Sequence, residues 1–212
     1  MIIRKSFKIE TSHIVRNCST DRCKNSIHGH SSLIEVLLES KYLDNGQMII
    51  DFSLLKPYIG QIIDSFDHCI VFWDKDNSEY IEYIKKFSNR WISLPVSPSA
   101  EQLSRILFML CMVILNKTKF NNGENSIIVN SVIYHETSTG YAQSFLSDIT
   151  PTAHKINYDN VVEYVRLNIL PYIEFSPQIK SEWNDPLMID KVLNSKIEEI
   201  CFENPIIELQ VK

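Results

Sequence analysis

Apolar and polar residues alternate in two segments near the start of the chain, and this pattern predicts two β-strands. Residues 1–15 place Ile, Phe and Val between polar residues, and residues 31–40 follow a polar loop at 16–27. A period of two puts alternate side chains on opposite faces of a sheet. The segment 43–47, which contains an Asn-Gly pair, then indicates a turn.

The spacing of apolar residues becomes helical further along the chain. A helix is predicted to begin near Ser53, and residues 74–90, which are charged and aromatic, predict a second helix. The clearest helical segment is 97–116, with Ser97 as its N-cap and Pro98 as its first residue. The apolar positions that define the first of these helices are Leu54, Leu55, Ile59, Ile62 and Ile63.

A further strand predicted at 126–138 completes the order strand, strand, helix, helix, strand. This order is typical of an α+β fold in which an antiparallel sheet carries two helices on one face. Beyond it, residues 157–175 and 186–200 have the pattern of two more helices. We therefore expect a catalytic domain at 1–148 and a helical C-terminal extension at 149–212.

Composition narrows the classes of function. The chain has 212 residues and a net charge of -5 at pH 7, which argues against a general nucleic-acid binder. The longest apolar run, at 106–115, is too short to span a bilayer, and no signal peptide is evident. Five scattered cysteines are a poor disulfide framework, so we expect a reduced, cytoplasmic protein.

Three histidines near the chain start are candidate metal ligands. His28 and His30 flank a glycine in the segment "HGH", and in a strand both side chains would project to the same face. His13 lies near the end of the first predicted strand, so an antiparallel hairpin would bring it across from the other two. Three imidazoles with no fourth protein ligand are typical of a catalytic zinc site. The alternative is chance placement in a polar loop.

Four other residues are candidates for acid–base chemistry and binding. Cys23 lies in a polar loop beside the proposed site, where a thiol is unusual and a nearby metal lowers the thiol pKa. Asp67 and His68 are adjacent, and a carboxylate can orient an imidazole; the alternative is a helix-terminal turn in which His68 meets the helix dipole. Glu136 ends the last strand and can accept two N–H bonds from a flat ring, or it is an ordinary surface residue. His135 should face the opposite side of that strand.

These motifs together resemble the 6-pyruvoyltetrahydropterin synthase / 6-carboxytetrahydropterin synthase family. The matching segments cover residues 1–145 in family order. They are "SH" with His13, "C…HGH" with Cys23, His28 and His30, "GQMIIDFSLLK" at 46–56, "DHCIV" with Asp67 and His68, "PSAE" at 98–101 and "HET" with Glu136. The extension lies outside this common core.

The resemblance implies a T-fold (tunnelling fold) whose subunits pool their sheets, as a homo-oligomer (hexamer or tetramer) with sites between subunits. It implies Zn²⁺ held by His13, His28 and His30, and 7,8-dihydroneopterin triphosphate as substrate. It further implies that Cys23 accepts a proton, with His68, Asp67 and Glu136 in support. By the same resemblance, Glu136, Thr137 and Ser99 bind the pterin.

Three functions stay open at this point. We favour the carboxy-forming reaction of the queuosine branch, which releases acetaldehyde and triphosphate. The pyruvoyl-forming lyase shares the same site residues, and the four-residue spacing from Cys23 to His28 does not distinguish the two. A non-catalytic zinc-binding interaction module is the third, and such a module would need neither a thiol base nor a pterin anchor.

Overall fold

The fold is built on one seven-stranded sheet. The computed structural model describes residues 1–149 and 158–184. The strands are Ile2–His13 (β1), His28–Glu39 (β2), Cys69–Trp73 (β3), Trp91–Leu94 (β4), Ile128–His135 (β5), Tyr141–Phe145 (β6) and Glu174–Phe175 (β7). The α-helices are Asp21–Asn25 (α1), Gln61–Asp64 (α2), Ser78–Phe87 (α3), Ala100–Lys117 (α4), Tyr158–Asn168 (α5) and Pro177–Glu182 (α6). A 3-10 turn (Phe52–Leu55) and a π-helical turn (Lys56–Gly60) lead into α2.

The sheet is mixed, in the order β6-β5-β2-β1-β3-β4-β7. The predicted α+β class is confirmed, and the antiparallel arrangement is correct for the hairpin of β1 and β2 and for the pairs β2–β5 and β5–β6. It is wrong for β1–β3 and β3–β4, which are parallel. Parallel neighbours require crossover connections, which the 52–64 helical segment and α3 provide. β3 and β4 were missed because their apolar runs do not alternate.

The core lies between the sheet and α4, whose side chains from Gln102 to Leu115 are almost all buried. This helix packs on β5 and β6, and the Ser104 and Ser144 hydroxyls hydrogen-bond at 2.6 Å across that contact. The predicted N-cap Ser97 is wrong by two residues. The observed cap is Ser99, whose hydroxyl accepts the backbone N–H of Gln102.

The helix α3 packs on the other face of the sheet, so the expectation that helices cover one face is correct for α2 and α4 but wrong for α3. Its Ile84 forms a small separate cluster with Phe72 and Trp91. Phe72 alternates along β3 with Val71, which faces the main core. The amphipathic pattern of 74–90 predicts the helix but not the face on which it docks.

The described part of the C-terminal extension belongs to the main core. Val161, Val162 and Val165 of α5 are buried there, and β7 pairs with β4 at the edge of the sheet. Trp183 is buried after α6 and donates its indole N–H to Ser65 Oγ at 3.0 Å. The second helix predicted in the extension, at 186–200, lies outside the described residues. Among the described helices, none is both long and apolar enough to cross a membrane.

Trp183→Ala is expected to destabilise the whole protein by about 3–5 kcal/mol, the usual cost of emptying a buried aromatic site. The Ser65 hydroxyl also loses its donor. Chemical denaturation should show one transition at lower denaturant, because residues 158–184 share the core of residues 1–149. Phe87→Ala is the control, since that ring is 66% exposed. A wild-type-like main transition with an early separate one would instead make the extension an independent unit.

Candidate functional site

The register of β1 and β2 brings the three predicted histidines together. His13 lies directly across from His28, and Thr11 lies across from His30. The ring centroids of His13, His28 and His30 are 4.6–5.2 Å apart. One ring nitrogen of each lies within 4.8 Å of the others, and this is a group able to hold a metal ion.

Gly29 permits this close pairing of the two strands. A Cβ at this position would lie 3.0 Å from the carbonyl oxygen of Thr11, which is tighter than nine in ten Cβ contacts. A larger residue would therefore require β1 or β2 to shift by a few tenths of an ångström beside the histidines.

His13 is prepared as a neutral ligand. It is fully buried, and its Nδ1–H donates to the Pro98 carbonyl at 2.6 Å, which leaves the Nε2 lone pair free. Burial lowers the pKa of His13 to about 4; the hydrogen bond to Pro98 opposes this change, and the neighbouring His28 and His30 add to it. An imidazole with such a pKa is unprotonated at neutral pH, the form that binds metals.

The Nε2 atoms of the three histidines also have surroundings that fit a bound metal. Nε2 of His13 and Nε2 of His30 are buried and form no hydrogen bond with the described residues. The Glu136 Oε1 atom lies 3.5 Å from the first and 3.7 Å from the second. His28 Nδ1–H donates to the Ser26 carbonyl at 3.1 Å, which frees its Nε2 in turn. Lone pairs that converge without a donor are compensated by a cation, so these residues fit a bound metal.

Cys23 lies in α1, the short helix between β1 and β2. Its carbonyl accepts the Val15 N–H at 3.0 Å, which ties α1 to the end of the strand that carries His13. The thiol is half-buried and free. The loop predicted at 16–27 therefore contains one helical turn, and the backbone of Cys23 is bonded to Val15, two residues after His13.

Asp67 and His68 form a direct hydrogen bond of 2.8 Å between Asp67 Oδ2 and His68 Nδ1. Burial raises the pKa of Asp67, but the Glu10 N–H at 2.6 Å and the His68 side chain outweigh this and hold the pKa below its usual range. His68 follows α2 in a left-handed conformation, with φ of 47°, and its own N–H donates to the Glu10 carbonyl. Asp67 is thus ionised and orients the imidazole.

This dyad is not in contact with the histidine cluster within one protomer. His68 is 75% exposed and shares an open cavity of about 330 Å³ with Glu10 and Ser12. These two residues alternate with His13 along β1, so their side chains leave the opposite face of the sheet. His30 borders the cavity as well, but the described residues include no hydrogen bond, ion pair or ring contact between His68 and any of the three histidines.

The three remaining candidates occupy different places. Thr137 follows Glu136 in the β5–β6 turn, where its hydroxyl accepts the Gly140 N–H at 3.0 Å. Ser99 caps α4, one residue from the carbonyl that holds His13. His135 faces away from the cluster, as expected, and its Nε2 lies 3.2 Å from Glu35.

Comparison with known proteins decides the family. The family model described as 6-pyruvoyl tetrahydropterin synthase matches residues 2–145. The chain belongs to this family. It is 36% identical over 203 residues to the 6-carboxy-5,6,7,8-tetrahydropterin synthase of Helicobacter pylori (strain J99), with 95% of both chains covered. It is 24% identical to the protein of the same name in Aquifex aeolicus, over 66% of this chain and 95% of that one.

A crystal structure of an uncharacterized protein from Wolinella succinogenes shares the fold of this pterin synthase family member. The TM-score is 0.52 at 19% identity, with 68% of this chain and 97% of that chain covered. The Helicobacter pylori match continues past residue 145, where the family model ends. The extension is therefore shared with that relative, and the common family core ends near β6.

Sequence reasoning missed the backbone groups that prepare the site. The Pro98 carbonyl fixes the tautomer of His13, and the Glu10 N–H fixes Asp67. A main-chain group has no residue identity, so only a known strand and loop geometry could have revealed them.

Proposed function

We propose that this family member converts 7,8-dihydroneopterin triphosphate to 6-carboxy-5,6,7,8-tetrahydropterin, with release of acetaldehyde and triphosphate, on the route to queuosine and other 7-deazapurines. The observation that carries the proposal is the cluster of three histidines, in which the Nε2 atoms of His13 and His30 are buried and unpaired among the described residues, in a chain 36% identical to an enzyme of that name. The family model alone fits a pyruvoyl-forming enzyme equally well, and the names of the relatives favour the carboxy-forming one.

We propose zinc as the metal, held by His13, His28 and His30. When bound, zinc polarises the oxygens of the pterin side chain and acidifies the adjacent C–H. Three neutral nitrogen ligands suit Zn²⁺ and leave a position for substrate. The Glu136 Oε1 atom lies 3.5 Å from His13 Nε2 and the side chain is 30% exposed, so it can accept N–H bonds from the pterin ring. Ser99 and Thr137 stay proposed contacts to the ring.

The protein groups then divide the proton transfers. The Cys23 thiolate removes a proton from the substrate side chain, and His68, oriented by Asp67, returns or relays one. The side chains of Asp67 and His68 lie on the face of the sheet opposite to the three histidines. We therefore propose that a second copy of the chain presents His68 to the site. The edge strand β6, with Tyr141 63% exposed, is a surface on which copies could join their sheets.

Light scattering at micromolar concentration is expected to give a homo-oligomer, a hexamer or a tetramer. Co-refolding Cys23→Ala chains with His68→Ala chains should then restore turnover in a fraction of the sites. Such sites take the thiol from one chain and the imidazole from another. A monomer in solution, or two inactive variants that stay inactive in a mixed oligomer, would contradict sharing of the site.

The decisive experiment for the reaction is product analysis. Purified protein is incubated with 7,8-dihydroneopterin triphosphate, the pterin is identified by mass, and acetaldehyde is trapped as a hydrazone. A carboxy-pterin with acetaldehyde supports the proposal, whereas a pyruvoyl-pterin without acetaldehyde establishes the alternative lyase. No turnover by metal-loaded protein would favour the interaction module.

The described free thiols, Cys18, Cys23, Cys69 and Cys111, support our proposal of a cytoplasmic location.

A further inference from the structure

A second open cavity, of about 340 Å³, lies beside the start of α4. One wall is the segment 15–18, which follows β1, and the other is formed by Ser97, Ser99 and the first turns of the helix. Because β1, β3 and β4 run parallel, the cavity lies at the edge of the sheet where the carboxyl ends of these strands meet. Such edges, next to a helix N-terminus, are frequent ligand sites in sheets with parallel strands.

Two polar side chains in this cavity lack partners. Gln102 is only 8% exposed, it lines the cavity, and its carboxamide makes no hydrogen bond with any described residue. Ser97 Oγ is buried and likewise unpaired within the described part of the chain. A buried hydroxyl is costly without a partner, so a ligand that accepts hydrogen bonds would stabilise Ser97, and the Gln102 carboxamide can donate to the same ligand.

The charges favour an anion. Arg105, half-buried in the cavity wall, forms no ion pair or hydrogen bond with the described residues. Arg16 adds a second guanidinium, which Asp76 already neutralises through two hydrogen bonds of 2.9 Å. The 18-residue helix α4 directs its positive end here. Glu101 also lines the cavity, but it is exposed at the rim and can turn to solvent.

We propose that this cavity binds the triphosphate tail of the substrate, with Arg105, Gln102 and Ser97 as its binding residues. The inference rests on the proposed function and names the place of the phosphates. In 7,8-dihydroneopterin triphosphate the tail begins at the end of the short side chain whose oxygens would lie at the metal. The cavity adjoins the metal cluster, since His13 is held by Pro98, which lies between Ser97 and Ser99. An arginine and amide donors suit phosphate oxygens.

Binding of inorganic tripolyphosphate to the full-length protein, measured by calorimetry, tests the cavity without turnover. We expect Arg105→Gln to raise the dissociation constant roughly 10-fold or more, the usual effect of losing a charged hydrogen-bond partner. Gln102→Met should raise the dissociation constant less, and Arg105→Lys should retain part of the affinity. Lys41→Gln removes one exposed positive charge elsewhere and should leave the affinity unchanged.

Tripolyphosphate also binds metals, so a second comparison separates the two sites. His28→Ala, which lacks the proposed metal ligand, should retain the tripolyphosphate affinity if the cavity holds the phosphates. If His28→Ala loses the affinity while Arg105→Gln keeps it, the metal holds the phosphates and the inference is overturned. Equal affinity in wild type, Arg105→Gln and Gln102→Met overturns it as well, provided that the variants unfold at the wild-type temperature.

Steady-state kinetics connects the cavity to the substrate. Arg105→Gln should raise KM for 7,8-dihydroneopterin triphosphate with little change in kcat, and binding of 7,8-dihydroneopterin, which has no phosphate, should be unchanged. If wild type turns over the substrate and Arg105→Gln has the same KM, the cavity proposal fails while the proposed function stands. If wild type has no turnover but Arg105→Gln loses affinity for tripolyphosphate, the proposed reaction is wrong and the cavity binds the phosphates of another ligand.

Discussion

Replacing His28 with alanine is expected to remove the metal and the activity together. The variant leaves two imidazoles, and His28 is the proposed ligand whose Nδ1–H donates to the Ser26 carbonyl just before β2. Two neutral nitrogens cannot retain Zn²⁺ against competing chelators as three do. Turnover should fall by more than the roughly 10²–10³-fold that loss of one positioned electrostatic group costs.

The measurement is elemental analysis for zinc after dialysis, with turnover followed on the same samples. His135→Ala is the matched control, because His135 lies on the opposite face of the sheet, beside Glu35. It should keep its metal, and Glu35 keeps its ion pair with Arg4 at 2.7 Å. Full zinc content in His28→Ala would show that the metal binds elsewhere, and the proposed ligand set would be wrong.

The histidine cluster was predictable because it follows from the hairpin. A period of two puts His28 and His30 on one face, and antiparallel pairing of neighbouring strands brings the end of β1 to the start of β2. The observed partner of His13 is His28 itself. Local rules and one tertiary contact therefore suffice for this part of the site.

The position of the dyad was not predictable in this way. The segment at 69–73 is continuously apolar, so it has no period from which a strand or its faces can be assigned. The direction of His68 depends on a left-handed turn held by two hydrogen bonds to the backbone of Glu10: the Glu10 N–H donates to Asp67 Oδ1, and the Glu10 carbonyl accepts the His68 N–H. Those bonds exist only because β3 pairs with β1, a non-local contact that the sequence pattern does not show.

We propose that oligomerisation has a chemical role, because the dyad is separated from the histidine cluster. A single protomer presents the three histidines on the helix-facing side of β1 and the Asp67–His68 dyad on the other side. Under this proposal, only assembled copies place both groups at one substrate. The exposed β6 strand and the exposed His68 are then surfaces that a neighbouring copy would cover.

Cys23→Ala is expected to separate proton transfer from metal binding. The thiol lies in α1, outside the strands that present the three histidines, and it is not part of the histidine group. Its removal should leave zinc content and thermal stability close to those of wild type. Turnover should fall roughly 10²–10⁴-fold, the contribution of a positioned acid–base group.

Zinc analysis and turnover of 7,8-dihydroneopterin triphosphate on the same preparation check this expectation, with Cys111→Ala as the control. Cys111 is a free thiol of α4 that is buried in the main core. The control should retain zinc and activity, because its thiol lines neither the histidine cluster nor the two cavities. Loss of zinc from Cys23→Ala would make the cysteine a ligand and the proposed mechanism wrong. Retention of both zinc and full activity would place the base elsewhere, and His68 with Asp67 would be the next residues to replace, since Asp67 already holds that imidazole at 2.8 Å.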